Sequence, residues 1–143
     1  MIFRGYYRRT TSGRLAPFIR GYIPSTIGEE IPITFLLDTG ADATYLPKEY
    51  LDLLKVKAER FHYDVAGVGS RGLEYVKYST RLRLVTDGQE KSIPVVIGIF
   101  TAPGLLDFPV LGADVLDQFI LILDCSRQLV ALLDRDESYS SGQ

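Results

Sequence analysis

The sequence predicts a mainly β protein, a small closed antiparallel β-barrel carrying one or two short helices. Apolar and polar residues alternate with period two, most clearly where Tyr78, Thr80, Leu82 and Leu84 share one face and Arg81 and Arg83 the other. Turn signals such as Asp87-Gly88 separate the runs. Helical patterning is confined to two short stretches.

Pro17 to Ile23 reads as a strand that ends at Pro24, and Pro24-Ser25-Thr26-Ile27-Gly28 as the turn after it. In the next strand, Glu30 to Leu37, Ile31, Ile33 and Phe35 alternate with Pro32 and Thr34 before a continuous apolar end. Pro47 to Leu54 is the best helix candidate, because proline suits the first helical position and Leu51 and Leu54 are three apart. Phe61 to Ala66 and Leu73 to Val85 read as strands joined by the glycine-rich 67–72, and Lys91 to Phe100 returns after the Asp87-Gly88 turn. Thr101 to Phe108 is a loop, Val110-Leu111-Gly112 follows it, and Ala113 to Gln118 holds a helical turn or two. Phe119 to Asp124 and Leu129 to Leu133 form a last hairpin around Ser126-Arg127.

At 143 residues and 46% hydrophobic, the chain is long and apolar enough for one domain with a real core. Residues 14–133 are assigned to that domain, 1–13 to an N-terminal arm and the polar 134–143 to a flexible C-terminal tail. A net charge of −2 gives no reason to expect nucleic acid, and Arg4, Arg8, Arg9 and Arg14 read as a solvated or dimer-contacting arm. The longest apolar run, Ile93 to Phe100, is broken by Pro94 and Gly98 and is too short to span a membrane, so no membrane partner is expected. No apolar stretch of about 7–15 residues follows the N-terminal arginines, so no secretory leader is expected. Cys125 is the only cysteine, which excludes an internal disulfide and fits a cytoplasmic location; it reads as a strand-end packing residue. With one histidine, His62, the chain lacks the soft ligands of a zinc site, and neither metal nor cofactor is expected.

The chemistry concentrates in Phe35-Leu36-Leu37-Asp38-Thr39-Gly40-Ala41-Asp42, where an apolar strand delivers an acid into a tight turn. Asp, Thr and Gly are all turn residues, and such a tripeptide should arise by chance in about 3% of chains this long. The longer Asp38-Thr39-Gly40-Ala41-Asp42 resembles the acid loop of aspartic proteases, in particular the single-lobe, retroviral-type (retropepsin-like) family. Two further segments match in the right order: glycine-rich Gly67-Val68-Gly69 between two strands, and the apolar-apolar-glycine element Val110-Leu111-Gly112 before a short helix. The resemblance spans roughly residues 14–133 and implies the acid-protease type of barrel.

The resemblance implies that Asp38 is catalytic, with Thr39, Gly40 and Ala41 supporting its loop. Asp42, Gly67, Val68 and Gly69 would bind substrate, the three glycine-rich residues forming the tip of a flap that closes on it. Val110, Leu111 and Gly112 would form the second, structural loop. Many retroviral members carry arginine after that glycine; here Ala113 stands there, so their inter-loop salt bridge is not expected. Two carboxyls are needed, and Asp-Thr-Gly occurs once. The implied enzyme is therefore a homodimeric aspartic endopeptidase acting on an extended polypeptide. Residues 67–72 also satisfy G-x-G-x-x-G, but strand formers follow where a dinucleotide site needs a helix. Two other readings stay open: a catalytically silent peptide-binding or dimerisation module on the same fold, and a generic barrel with an accidental Asp-Thr-Gly.

Overall fold

A computed structural model describes residues 1–58, 63–66 and 73–135. Ten strands and two single-turn helices follow in chain order: β1 (Ile2–Arg9), β2 (Leu15–Pro24), β3 (Glu30–Leu37), β4 (Thr44–Leu46), α1 (Tyr50–Leu53), β5 (Tyr63–Ala66), β6 (Leu73–Thr86), β7 (Gln89–Phe100), β8 (Val110–Leu111), α2 (Ala113–Leu116), β9 (Phe119–Asp124) and β10 (Leu129–Asp134). Among the described residues no helix is long and apolar enough to cross a membrane.

The strands lie in the order β5-β6-β7-β4-β8-β3-β2-β1-β10-β9, and a further pairing of β6 with β2, through Arg83 and Tyr22, closes six of them into a barrel. The closed, mainly β reading holds. It needs one amendment, because β3 pairs β8 and β4 pairs β7 in parallel. Parallel neighbours require crossover connections between distant segments. Local alternation carries no trace of them, and β4 and β8, at three and two residues, are too short to show a period.

Local turn chemistry sets the long hairpins. Asp87 and Gly88 both take positive φ, 49° and 79°, the geometry that matches the twist of two flanking strands. β6 and β7 then pair without interruption from Thr86–Gln89 to Tyr75–Phe100. Between β2 and β3 the Ser25 hydroxyl accepts the Ile27 and Glu29 amides at 3.3 and 3.1 Å, and Gly28 takes φ 88°. The inward faces supply the core, with Ile23, Ile33, Phe35, Leu82, Leu84, Ile93, Ile97 and Ile99 all buried. Tyr78 enters this layer with a polar tip, its hydroxyl donating to the Pro24 carbonyl at 2.7 Å, and burial pushes its phenol pKa up. The helix expected over Pro47 to Leu54 is shorter, a single turn at Tyr50–Leu53.

Residues 1–13, set aside above as an arm, contain strand β1. Ile2 to Gly5 pair with β10 and Tyr6 to Arg9 pair with β2, so the strand passes from one ladder to the other at Gly5. Arginines hid it. They lie outward, with Arg8 over the buried Phe18 ring at 4.4 Å and Arg4 beside Asp87 at 3.9 Å, while Phe3 is fully buried. Cys125 is exposed in the turn between β9 and β10 rather than packed at a strand end.

Gly5 is where the ladders meet, and a Cβ there would strike the Phe18 carbonyl oxygen and, at 2.8 Å, the Val130 side chain. Gly5→Ala is expected to lower unfolding stability by about 2 kcal/mol or more, as overpacking against backbone does. Urea denaturation checks this; a loss below about 0.5 kcal/mol, the range of ordinary surface changes, would contradict it.

Candidate active site

Strand β3 carries Asp38 to the end of the barrel, and β8 fixes its height. Leu36 and Leu37 lie beside Val110 and Leu111 in parallel register. The Leu36 amide donates to the Pro109 carbonyl at 2.8 Å and the Asp38 amide to the Leu111 carbonyl at 3.0 Å. Leu37 faces the core, nearly buried. Beyond Asp38 the chain turns at once, the Ala41 amide reaching back to the Asp38 carbonyl at 3.2 Å.

Within that turn the Gly40 amide donates to Asp38 Oδ1 at 3.0 Å and orients the carboxylate. Gly40 does not take a positive φ, so conformational freedom is not why glycine stands there. A Cβ on it would lie 3.3 Å from Asp38 Oδ1, tight against the acid it orients. Asp38 is half-buried, whereas Thr39, Gly40 and Asp42 are exposed.

A second segment holds the acid loop from behind. The Ala113 amide donates to the Ala41 carbonyl at 2.7 Å and the Asp114 amide to the Asp42 carbonyl at 3.2 Å. Gly112 makes that approach possible: a Cβ there would collide with the Ala43 carbonyl and lie 2.8 Å from Ala41 O. Thr44, fully buried, ties the two segments together. Its hydroxyl donates to Asp114 Oδ1 at 2.9 Å and accepts the Gly112 amide at 3.2 Å, and its own amide donates to Asp114 Oδ2 at 3.3 Å.

Asp38, Thr39, Gly40, Ala41 and Asp42 are thus brought together with Val110, Leu111 and Gly112. Gly67, Val68 and Gly69 lie outside the described residues; on either side of them β5 and β6 pair antiparallel, ending at Ala66 opposite Leu73. Sequence reasoning missed Thr44 and Asp114. One signal was present: Gly-Ala-Asp occurs twice, at 40–42 and 112–114, and these two copies are hydrogen-bonded to each other.

Asp38 opens onto a cavity of about 430 Å³, walled by Leu36, Ala16, Pro17 and Phe108, with Arg14 and Asp107 at its sides. Part of that wall, Thr10 to Ser12, belongs to the β1–β2 connection. Phe108 is fixed edge-on against Phe18 at 5.7 Å. On the other side of the loop a cavity of about 290 Å³ is lined by Ala43, Tyr45, Tyr75 and Gly98. No group of three or more metal-ligating His, Cys, Asp or Glu side chains occurs among the described residues.

The family model for retroviral aspartyl protease matches residues 16–124. The chain belongs to the retroviral aspartyl protease family. A retropepsin-like aspartic protease from Rickettsia conorii is similar in fold, with a TM-score of 0.63 at 22% identity, covering 92% of this chain and 88% of that one. So is the retroviral protease-like domain of Ddi1 from Leishmania major, with a TM-score of 0.50 at 14% identity, covering 85% of this chain and 97% of that one. At these identities the likeness concerns fold. No curated protein matches the chain significantly in sequence. Asp38 lies within the residues that the family model matches.

Thr44→Val keeps the shape of the side chain but strands the buried Gly112 amide without an acceptor. A loss of about 1–3 kcal/mol in unfolding stability is expected, the cost of one unsatisfied buried donor. Thermal and urea denaturation check it, with Thr44→Ser expected near wild type; equal stability of Thr44→Val and wild type would contradict the clamp.

Proposed function

We propose that this chain is an aspartic endopeptidase, active as a homodimer in which each subunit supplies one Asp38. The observation that carries this reading is the orientation of Asp38 by the Gly40 amide, on a loop clamped from behind and opening onto a cavity. Thr39 and Gly40 are exposed beside it, where a second copy would meet them across a twofold axis.

Two carboxyls about 3 Å apart share one proton, because like charges that close cannot both ionise. The ionised member takes a proton from water as the water oxygen attacks the peptide carbonyl carbon. The protonated member gives its proton to the carbonyl oxygen. The tetrahedral intermediate collapses when the amide nitrogen receives a proton, the C–N bond breaks and the carbonyl re-forms, leaving a carboxyl and an amine. No covalent intermediate is needed, and the pair titrates as a unit.

Substrate would lie extended across the dimer, with Asp42 and the glycine-rich 67–69 holding its backbone. The walls beside Asp38 are apolar, at Leu36, Ala16 and Phe108, and favour apolar residues flanking the cleaved bond. From the loop between β7 and β8, Asp107 and Phe108 reach this cavity, while Pro103, Gly104 and Leu106 line another against α1.

Cleavage of a diverse peptide mixture between about pH 4 and 7 tests the proposal. Wild type is expected to cleave between apolar residues, with a bell-shaped pH profile from the shared proton. Asp38→Asn is expected to fold normally and to lose at least about 1,000-fold in kcat/KM, since removal of an activated catalytic group costs that order. Retained cleavage in Asp38→Asn, or preference for charged residues beside the bond, would contradict it. A folded dimer without activity in either form would favour a silent peptide-binding module.

A further inference from the structure

A cavity of about 470 Å³ lies outside the catalytic arrangement, between helix α1 and the β7–β8 loop. Pro47, Leu51, Pro103 and Leu106 give it apolar walls. Three carboxylates also line it, Glu49, Asp52 and Asp107, against one ammonium, Lys48. Three acids and one base make a formal charge of −2 on the lining, equal to that of the whole chain.

Nothing within the fold uses these carboxylates. Among the described residues, none of the three makes an ion pair or a side-chain hydrogen bond. Glu49 stands at the N-cap of α1, yet its side chain makes no cap bond there. A helix start favours acids, which accounts for Glu49 and Asp52. It does not account for Asp107, which comes from the opposite wall. Helix α1 buries none of its side chains, so its Leu51 and Asp52 are open to an outside group.

Like charges around one cavity repel each other, and a cation that enters relieves the repulsion. The three do not converge as metal ligands do, since no group of three such side chains among the described residues could hold an ion. A cation on an apolar stem fits instead. Lysine and arginine lay their methylenes along apolar surface and keep the charged head among polar groups. Asp107 lines both this cavity and the Asp38 cavity, so the two are neighbours and the way from one to the other passes a carboxylate.

We propose that this cavity is a subsite for a lysine or arginine side chain of the polypeptide substrate, at a position beyond the two residues that flank the cleaved bond. The identity of the occupant rests on the endopeptidase reading. The stem packs on Pro47, Leu51, Pro103 and Leu106, and the head sits among Glu49, Asp52 and Asp107. The substrate is then a polypeptide with apolar residues at the bond and a basic residue farther along.

Calorimetric titration of the full-length Asp38→Asn chain with peptides tests the subsite apart from catalysis. Each peptide carries a central apolar pair among alanines, with lysine, alanine or glutamate scanned through the positions beyond that pair. At one position lysine is expected to bind about 5- to 10-fold tighter than alanine, and glutamate more weakly, as several exposed charge contacts together give. The difference should shrink to about 2-fold in 1 M salt, where the screening length is about 3 Å. Asp52→Asn combined with Glu49→Gln should remove most of the lysine preference. Glu90→Gln, at the opposite end of β7 from the loop, should leave it unchanged. In wild-type cleavage of the same peptides the preference should appear in KM rather than kcat, because the contact is remote from the bond. Equal binding of all three peptide types at every position, with wild type cleaving them, would overturn the subsite and leave the endopeptidase reading intact. A lysine preference untouched by salt, or by the double substitution in a folded chain, would overturn the subsite as well. A preference that the double substitution removes, with no cleavage by wild type, would support the subsite and overturn the endopeptidase reading. Neither binding nor cleavage would overturn both.

Discussion

The close approach of two backbone segments, 41–43 and 112–114, governs the rest of the structure. Their contact leaves no room for a side chain on Gly112, and two amide-to-carbonyl bonds cross between them. Thr44 and Asp114 close the arrangement with side-chain bonds, Thr44 fully buried and Asp114 reaching it from the exposed side. A buried hydroxyl such as that of Thr44 stabilises only when it is paired, and no described side-chain polar atom is left buried without a partner. Asp38 therefore starts from a fixed position. Its carboxylate is aimed by one amide inside a turn whose back cannot shift.

The barrel exists in the form it does because that contact must be reached from distant parts of the chain. β3 and β8 run parallel to bring Asp38 and Gly112 to the same end, and β4 is threaded beside β7 for the same reason. The long β6–β7 hairpin and the β2–β3 hairpin are local and are set by their turns. They wrap the core that supports the short strands. β1 adds the wall on which Thr10 to Ser12 face the Asp38 cavity, so the first 13 residues contribute directly to the site.

What could be read from the sequence divides along the same line. The hairpins were legible because alternation and turn residues are local properties: Asp87-Gly88, Gly28 and the face shared by Tyr78, Leu82 and Leu84 led straight to β6, β7 and the β2–β3 turn. The acid loop was legible through its resemblance to a known family. β4 and β8 were not legible as paired strands, since their stability comes from neighbours about 50 to 70 residues away in sequence rather than from their own two or three residues. β1 was lost behind its arginines, of which Arg8 lies over the Phe18 ring and Arg4 beside Asp87 on the outer side of a paired strand. Thr44 and Asp114 were lost because a hydroxyl and a carboxylate 70 positions apart carry no local pattern, although the repeated Gly-Ala-Asp contains Asp114.

The central claim is that peptide hydrolysis here needs two Asp38 carboxylates, one from each of two chains. Subunit mixing tests it most directly. Wild type and Asp38→Asn are mixed at fixed total concentration, allowed to exchange subunits, and assayed for peptide cleavage. If both carboxylates are required, only dimers of two wild-type chains turn over, and activity falls as the square of the wild-type fraction. Activity falling in direct proportion to that fraction would mean that one Asp38 suffices, and would contradict the account.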